Sequence, residues 1–140
     1  MVVVTAVSGR APRPRRARGA AESLGSVVLV FESVVVFLAG LAVFGLNALP
    51  ESIPDWWGIV GGAVAALVMI VLAGLLRHRW AIVAGWILQV ALLAAGFLVP
   101  AIAVVALIFG AMWGYATIKG ASLDRRNARL AAEADLSNGD

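Results

Sequence analysis

The chain has 140 residues, of which 62% are hydrophobic and only 14% charged. Soluble domains sit nearer half apolar and a quarter charged, so the composition points away from a water-soluble globule and toward a membrane protein. There is no cysteine and a single histidine, His78. That rules out a disulfide, a thiolate site and a cysteine nucleophile, and leaves too few ligands for a zinc or haem centre. No metal and no cofactor is expected.

Residues 1–23 read as a basic, disordered tail. Positions 10–18 carry five arginines and two prolines, a composition that does not pack into a core. Such a tail serves as a solvated topology signal. Contact with anionic lipid is the second reading, and no specific nucleic acid is implied. Arg15-Arg16 precede an apolar run, as in an export signal. No small-residue cleavage site follows that run, so it reads as a retained anchor.

The first span is expected over about 24–46, ending at Asn47-Ala-Leu-Pro50. The loop Glu51-Ser-Ile-Pro54-Asp55 leads to Trp56 and Trp57, adjacent tryptophans suited to the headgroup layer. They open the second span, 57–76. Arg77-His78-Arg79-Trp80 is a tight basic turn, with Trp80 as an interfacial anchor. Residues 80–118 as one helix would be about 58 Å long, against a hydrocarbon core about 30 Å thick, so they must fold back. The break is written at Gly96-Phe-Leu-Val-Pro100, where a residue that ends helices precedes one that starts them. This gives spans 80–98 and 100–118, and a domain of four spans over 24–118. A tail over 119–140 is expected to be partly helical. It either lies on the membrane surface or extends span four.

The eleven basic residues fall in three segments. Five are in the N-terminal tail, Arg77 and Arg79 are in the second turn, and Lys119, Arg125, Arg126 and Arg129 follow span four. Four spans put these segments on one side, while the opposite side has Glu51 and Asp55 and no basic residue. The positive-inside rule makes the basic side cytoplasmic. The expected architecture is an all-α bundle of four transmembrane helices in the plasma membrane, with both termini in the cytoplasm.

Glu32 sits about eight residues into span one, about 12 Å deep at the helical rise. A carboxylate there costs about 2.5–3.5 kcal/mol on insertion scales, so it must face protein or water. Gly25, Glu32 and Ala39 recur every seven residues on one helix face, bordered by Gly40, whereas Val34, Phe37 and Phe44 point elsewhere. Gln89 lies nine residues into span three, beside a small face made by Gly85 and Gly96. Spans one and three run in the same direction. Glu32 and Gln89 are therefore expected at similar depth, meeting across a close contact of the two spans. Hydrocarbon disfavours the charged carboxylate, so a neutral Glu32 donating to the Gln89 carbonyl forms an interhelical pin, worth about 0.6 kcal/mol on average. A proton or cation site is the alternative.

Gly58, Gly62 and Ala66, and again Ala106, Gly110 and Gly114, recur every four residues. Such ridges let helix backbones approach closely. Packing within the chain is expected of them, and a homo-oligomer is the other use. Trp80, Trp86, Trp113 and Tyr115 crowd the basic end and read as an aromatic belt, with an aromatic-lined pocket open to the cytoplasm as the alternative. Tyr115 can offer its hydroxyl to the 77–79 turn or toward Glu32. The spans hold Ser26, Ser33 and Glu32 but no His, Lys or Asp, which leaves no set for an intramembrane protease. No enzyme is expected.

Together, Phe31-Glu32-Ser33-Val34-Val35, Arg77-His-Arg-Trp80, Leu88-Gln89, Gly96-Phe97, Pro100, Phe109 and Trp113 resemble a known pattern. Over roughly residues 23–115 the chain resembles small actinobacterial integral membrane proteins classed as a domain of unknown function, often encoded beside folylpolyglutamate synthase. That family often has proline where Arg79 stands. The resemblance implies four spans and singles out Glu32 and Gln89, but supplies no activity. Two functions are expected of such a chain. The first is a structural or accessory subunit of a membrane assembly, held by the lipid bilayer and a larger membrane partner. The other is a small homo-oligomeric channel or transporter with Glu32 near the pathway.

Overall fold

The computed structural model describes residues 18–139. The basic tail therefore lies largely outside the described residues, with only Arg18 of its arginines inside them. The fold is all-α, with α1 at Ala20–Gly45, α2 at Trp56–Leu75, α3 at Arg79–Ala95 and α4 at Pro100–Asn138.

Local chemistry sets the helix ends. After α1, Asn47 takes a left-handed backbone conformation, φ 48°. Its amide donates to Phe44 O at 3.2 Å and the Ala48 amide to Val43 O at 3.0 Å. This paired closure satisfies carbonyls that the helix end leaves open, and asparagine is the usual non-glycine residue there. At the α3–α4 turn, Val99 is extended, φ −134° and ψ 105°, as a residue before proline must be, and Pro100 opens α4 in its first turn. Gly96 is required at this turn because a Cβ would run into the backbone and side chain of Ala103.

Three helices, α1, α2 and α4, are long and apolar enough to cross a membrane. The expected third span, 80–98, is shorter than the sequence suggested. α3 has 17 residues, about 25 Å at the helical rise, because residues from Gly96 onward peel into the turn. α4 has 39 residues. The C-terminal tail is thus the continuation of α4 and not a separate surface helix.

The helices form a ring. α1 packs along α2 and α4, α3 packs on α4, and α3 meets α2 only lightly. Among the described residues no Cα of α1 comes within 8 Å of one in α3, so these two stand diagonally across the bundle. At the α1–α2 crossing the two backbones approach closely. A Cβ on Gly40 would lie 2.5 Å from Gly58 O and 2.9 Å from Gly62 Cα, a backbone-to-backbone approach that only small residues permit. The outer surface is apolar, with Val27, Val34, Leu67, Ile87 and Leu107 each more than half exposed. Leu29, Met69 and Trp113 are fully enclosed. An apolar exterior around an apolar core suits a lipid solvent and is costly in water.

Three contacts gather the described basic segments at one end. Gly120 of α4 abuts Ala21 of α1. Leu76, just before the Arg77–Arg79 turn, lies 3.1 Å from where a Gly25 Cβ would be. The Asp124 carboxylate accepts from Ala20 N at 2.6 Å and from Ala21 N at 3.2 Å.

Candidate functional site

Glu32 is fully buried and Gln89 is 5% exposed. Gln89 Nε2 donates to Glu32 Oε2 at 2.6 Å. The two therefore meet, but not across a close contact of their helices as the spacing suggested. Their long side chains bridge the diagonal of the ring from α1 and α3, which are held apart by α4. In this contact the Gln89 amide is the donor and a Glu32 carboxyl oxygen the acceptor.

Glycines make the room. Gly110 on α4 faces Gln89, with its would-be Cβ 3.7 Å from Oε1. Gly25 and Gly85 flank Trp113, whose ring lies 3.3 Å from a Cβ built on Gly25 and would overlap one built on Gly85. Trp113 is consequently a core residue and not part of an aromatic belt. The reason is that glycines on α1 and α3 leave a slot as wide as an indole between the diagonal helices. Phe109, one turn earlier on α4, packs against Phe31 with ring centroids 6.3 Å apart. Ser33 and Thr117 are buried too, but their hydroxyls donate to carbonyls of their own helices.

Three buried side-chain atoms lack a hydrogen-bond partner among the described residues: Glu32 Oε1, Gln89 Oε1 and Trp113 Nε1. Two are acceptors when the carboxyl is ionised, and one is a donor. A protonated Glu32 supplies the donor that the carboxyl–amide pair lacks. The arrangement can thus hold a proton at the bundle centre. It has no nucleophile paired with a base, and among the described residues there is no group of three potential metal ligands.

The remaining expected residues lie apart from this pair. Gly58 and Gly62 form the α1–α2 crossing, whereas Gly114 seats the edge of Trp86, 3.4 Å from its would-be Cβ. Trp56 and Trp57 stack at 4.8 Å and are half exposed at the acidic end. At the basic end Arg77 Nε donates to His78 Nε2 at 3.2 Å, and His78 stacks on Trp80. Tyr115 is 66% exposed and joins neither the 77–79 turn nor Glu32. Near the acidic end a cavity of about 340 Å³ opens between α1, α2 and the α3–α4 turn. All its lining residues are apolar or glycine, so it offers no polar route toward Glu32.

Sequence reasoning missed Asp124. Its carboxylate caps α1 from 104 residues away. Gly19, at the capping position itself, makes no side-chain hydrogen bond there. No local signal could reveal a cap supplied by another helix.

An apolar-surfaced helical ring, a single buried carboxyl–amide pair and glycine-seated aromatics define a small α-helical protein with the features of a membrane protein. Residues 23–129 match the family described as protein of unknown function DUF4233, and the chain belongs to that family. Neither the curated proteins nor the solved structures contain a match to it.

Proposed function

We propose that this chain is a non-enzymatic accessory subunit embedded in the plasma membrane by all four helices, with both termini in the cytoplasm. α3 reaches the lower limit of about 17 residues for a span, and its turn residues Phe97 and Leu98 are apolar and exposed. The common end of the basic segments supports a cytoplasmic face there through the positive-inside rule. The actinobacterial source and folate-linked gene neighbour that the family resemblance implies serve only to suggest where a partner could be sought.

The observation that carries the accessory reading is the end of α4. Residues 125–138 are helical, yet exposed on every side. Alanines at 128, 131, 132 and 134 favour the helix. No ion pair among the described residues supports it, and Leu130 and Leu136 stand exposed on it with nothing packed over them. We read it as an arm that docks a cytoplasmic or membrane partner.

The test is extraction of the full chain into native lipid discs, alongside a chain ending at residue 124. A second protein present in stoichiometric amount with the full chain, and lost from the shortened one, supports the reading. A homo-oligomer alone from both chains overturns it. That outcome favours the second reading, a homo-oligomeric channel or transporter, whose support is the unpartnered Glu32 Oε1. Glu32→Gln keeps the interhelical hydrogen bond. An accessory subunit therefore retains partner binding with this change, whereas a proton-coupled transporter loses flux while remaining folded.

A further inference from the structure

A groove of about 450 Å³ runs along the outside of the α1–α4 seam at the basic end. Its walls are Leu24 and Val27 of α1 and Met112 and Tyr115 of α4, with the Ser23 hydroxyl near its end. A second hollow of about 330 Å³ adjoins it, lined by Tyr115, Ile118, Lys119 and Ser122. Tyr115 lines both, so the two are neighbours on the same side of α4. The groove is largely apolar, and the hollow beside it carries the Lys119 ammonium and the Tyr115 and Ser122 hydroxyls.

Lys119, the single lysine of the chain, lies one helical turn beyond Tyr115 and has no ion pair among the described residues. Neighbouring carboxylates are committed elsewhere. Asp124 is turned onto the first amides of α1, and Glu22 lies 3.6 Å from Arg18. The Lys119 charge, in the hollow next to the groove, thus has no ion partner among the described residues. A lysine at a span end lays its stem on apolar surface and lifts its ammonium to the headgroup level.

We infer that the α1–α4 groove binds one anionic phospholipid, its acyl chain along Val27 and Met112 and its headgroup phosphate at Lys119. Charge selects this occupant. A zwitterionic headgroup brings its own cation beside Lys119, whereas an anionic one leaves a net negative charge to meet it. The inference rests on the membrane reading but not on the accessory one.

The test incorporates the full chain into discs of equal phosphatidylglycerol and phosphatidylcholine, then counts lipids retained after mild detergent release by native mass spectrometry. One phosphatidylglycerol per chain is expected, in preference to phosphatidylcholine. Lys119→Gln, on an exposed side chain, should weaken that retention about fivefold, the effect of one basic residue near a charged surface. Met112→Trp, which fills the groove, should remove it. Arg125→Gln should change it less than twofold. Equal retention of the two lipids, no response to Lys119→Gln, or an equal response to Arg125→Gln overturns the site. A chain that does not enter the discs at all instead overturns the membrane reading.

Discussion

Replacing Gly40 with alanine should separate α1 from α2. The added Cβ would sit 2.5 Å from Gly58 O and 2.9 Å from Gly62 Cα. Carbon–oxygen contacts across helix interfaces settle near 3.3–3.6 Å, so the backbones must part by about 1 Å. Both obstructing groups are backbone, so no side-chain rotation relieves the clash. A gap of 0.5–1 Å forfeits about a quarter to a half of each dispersion contact it opens. The whole Val36–Val43 stretch of the crossing would lose contact, giving a net loss of about 1–3 kcal/mol, the range for overpacked interiors. Gly61→Ala and Gly74→Ala are matched controls, because a Cβ at either meets nothing within 4 Å. They should leave stability unchanged or raise it through helix propensity, by up to about 1 kcal/mol. The assay is reversible unfolding in mixed micelles, followed by helical circular dichroism. Equal midpoints for Gly40→Ala and Gly61→Ala would refute the close α1–α2 crossing.

The buried pair invites a double-mutant cycle. Gln89→Leu and Glu32→Leu, alone and together, should show a coupling of about 0.6 kcal/mol and no more than about 2 in the same unfolding assay. Strict additivity would mean that the two side chains do not share a hydrogen bond. Asp124→Ala uncovers the first amides of α1 and should cost about 1 kcal/mol, as lost helix caps do. Hydrogen exchange should accelerate at Ala20 and Ala21 while the amides near Glu32 keep their protection, and unchanged exchange at the two alanines would contradict the cap.

The sequence by itself located the breaks between the helices and the polar side chains that hydrocarbon penalises, although not every helix end. Those properties are local. Asn47, Gly96 and Pro100 act on their own backbone or the next turn, and the cost of a carboxyl in hydrocarbon belongs to Glu32 whatever surrounds it. Tertiary structure alone decided who meets whom. It set Glu32 and Gln89 across a diagonal, placed Trp113 between Gly25 and Gly85, paired Gly40 with Gly58 and Gly62, and brought Asp124 to the start of α1. The physical reason is the solvent. In water an amphipathic stripe announces the inward face of a helix, but a chain built for lipid is apolar on both faces. Only small and polar residues then hint at the interior, and they do not name the helix that will fill the space they leave.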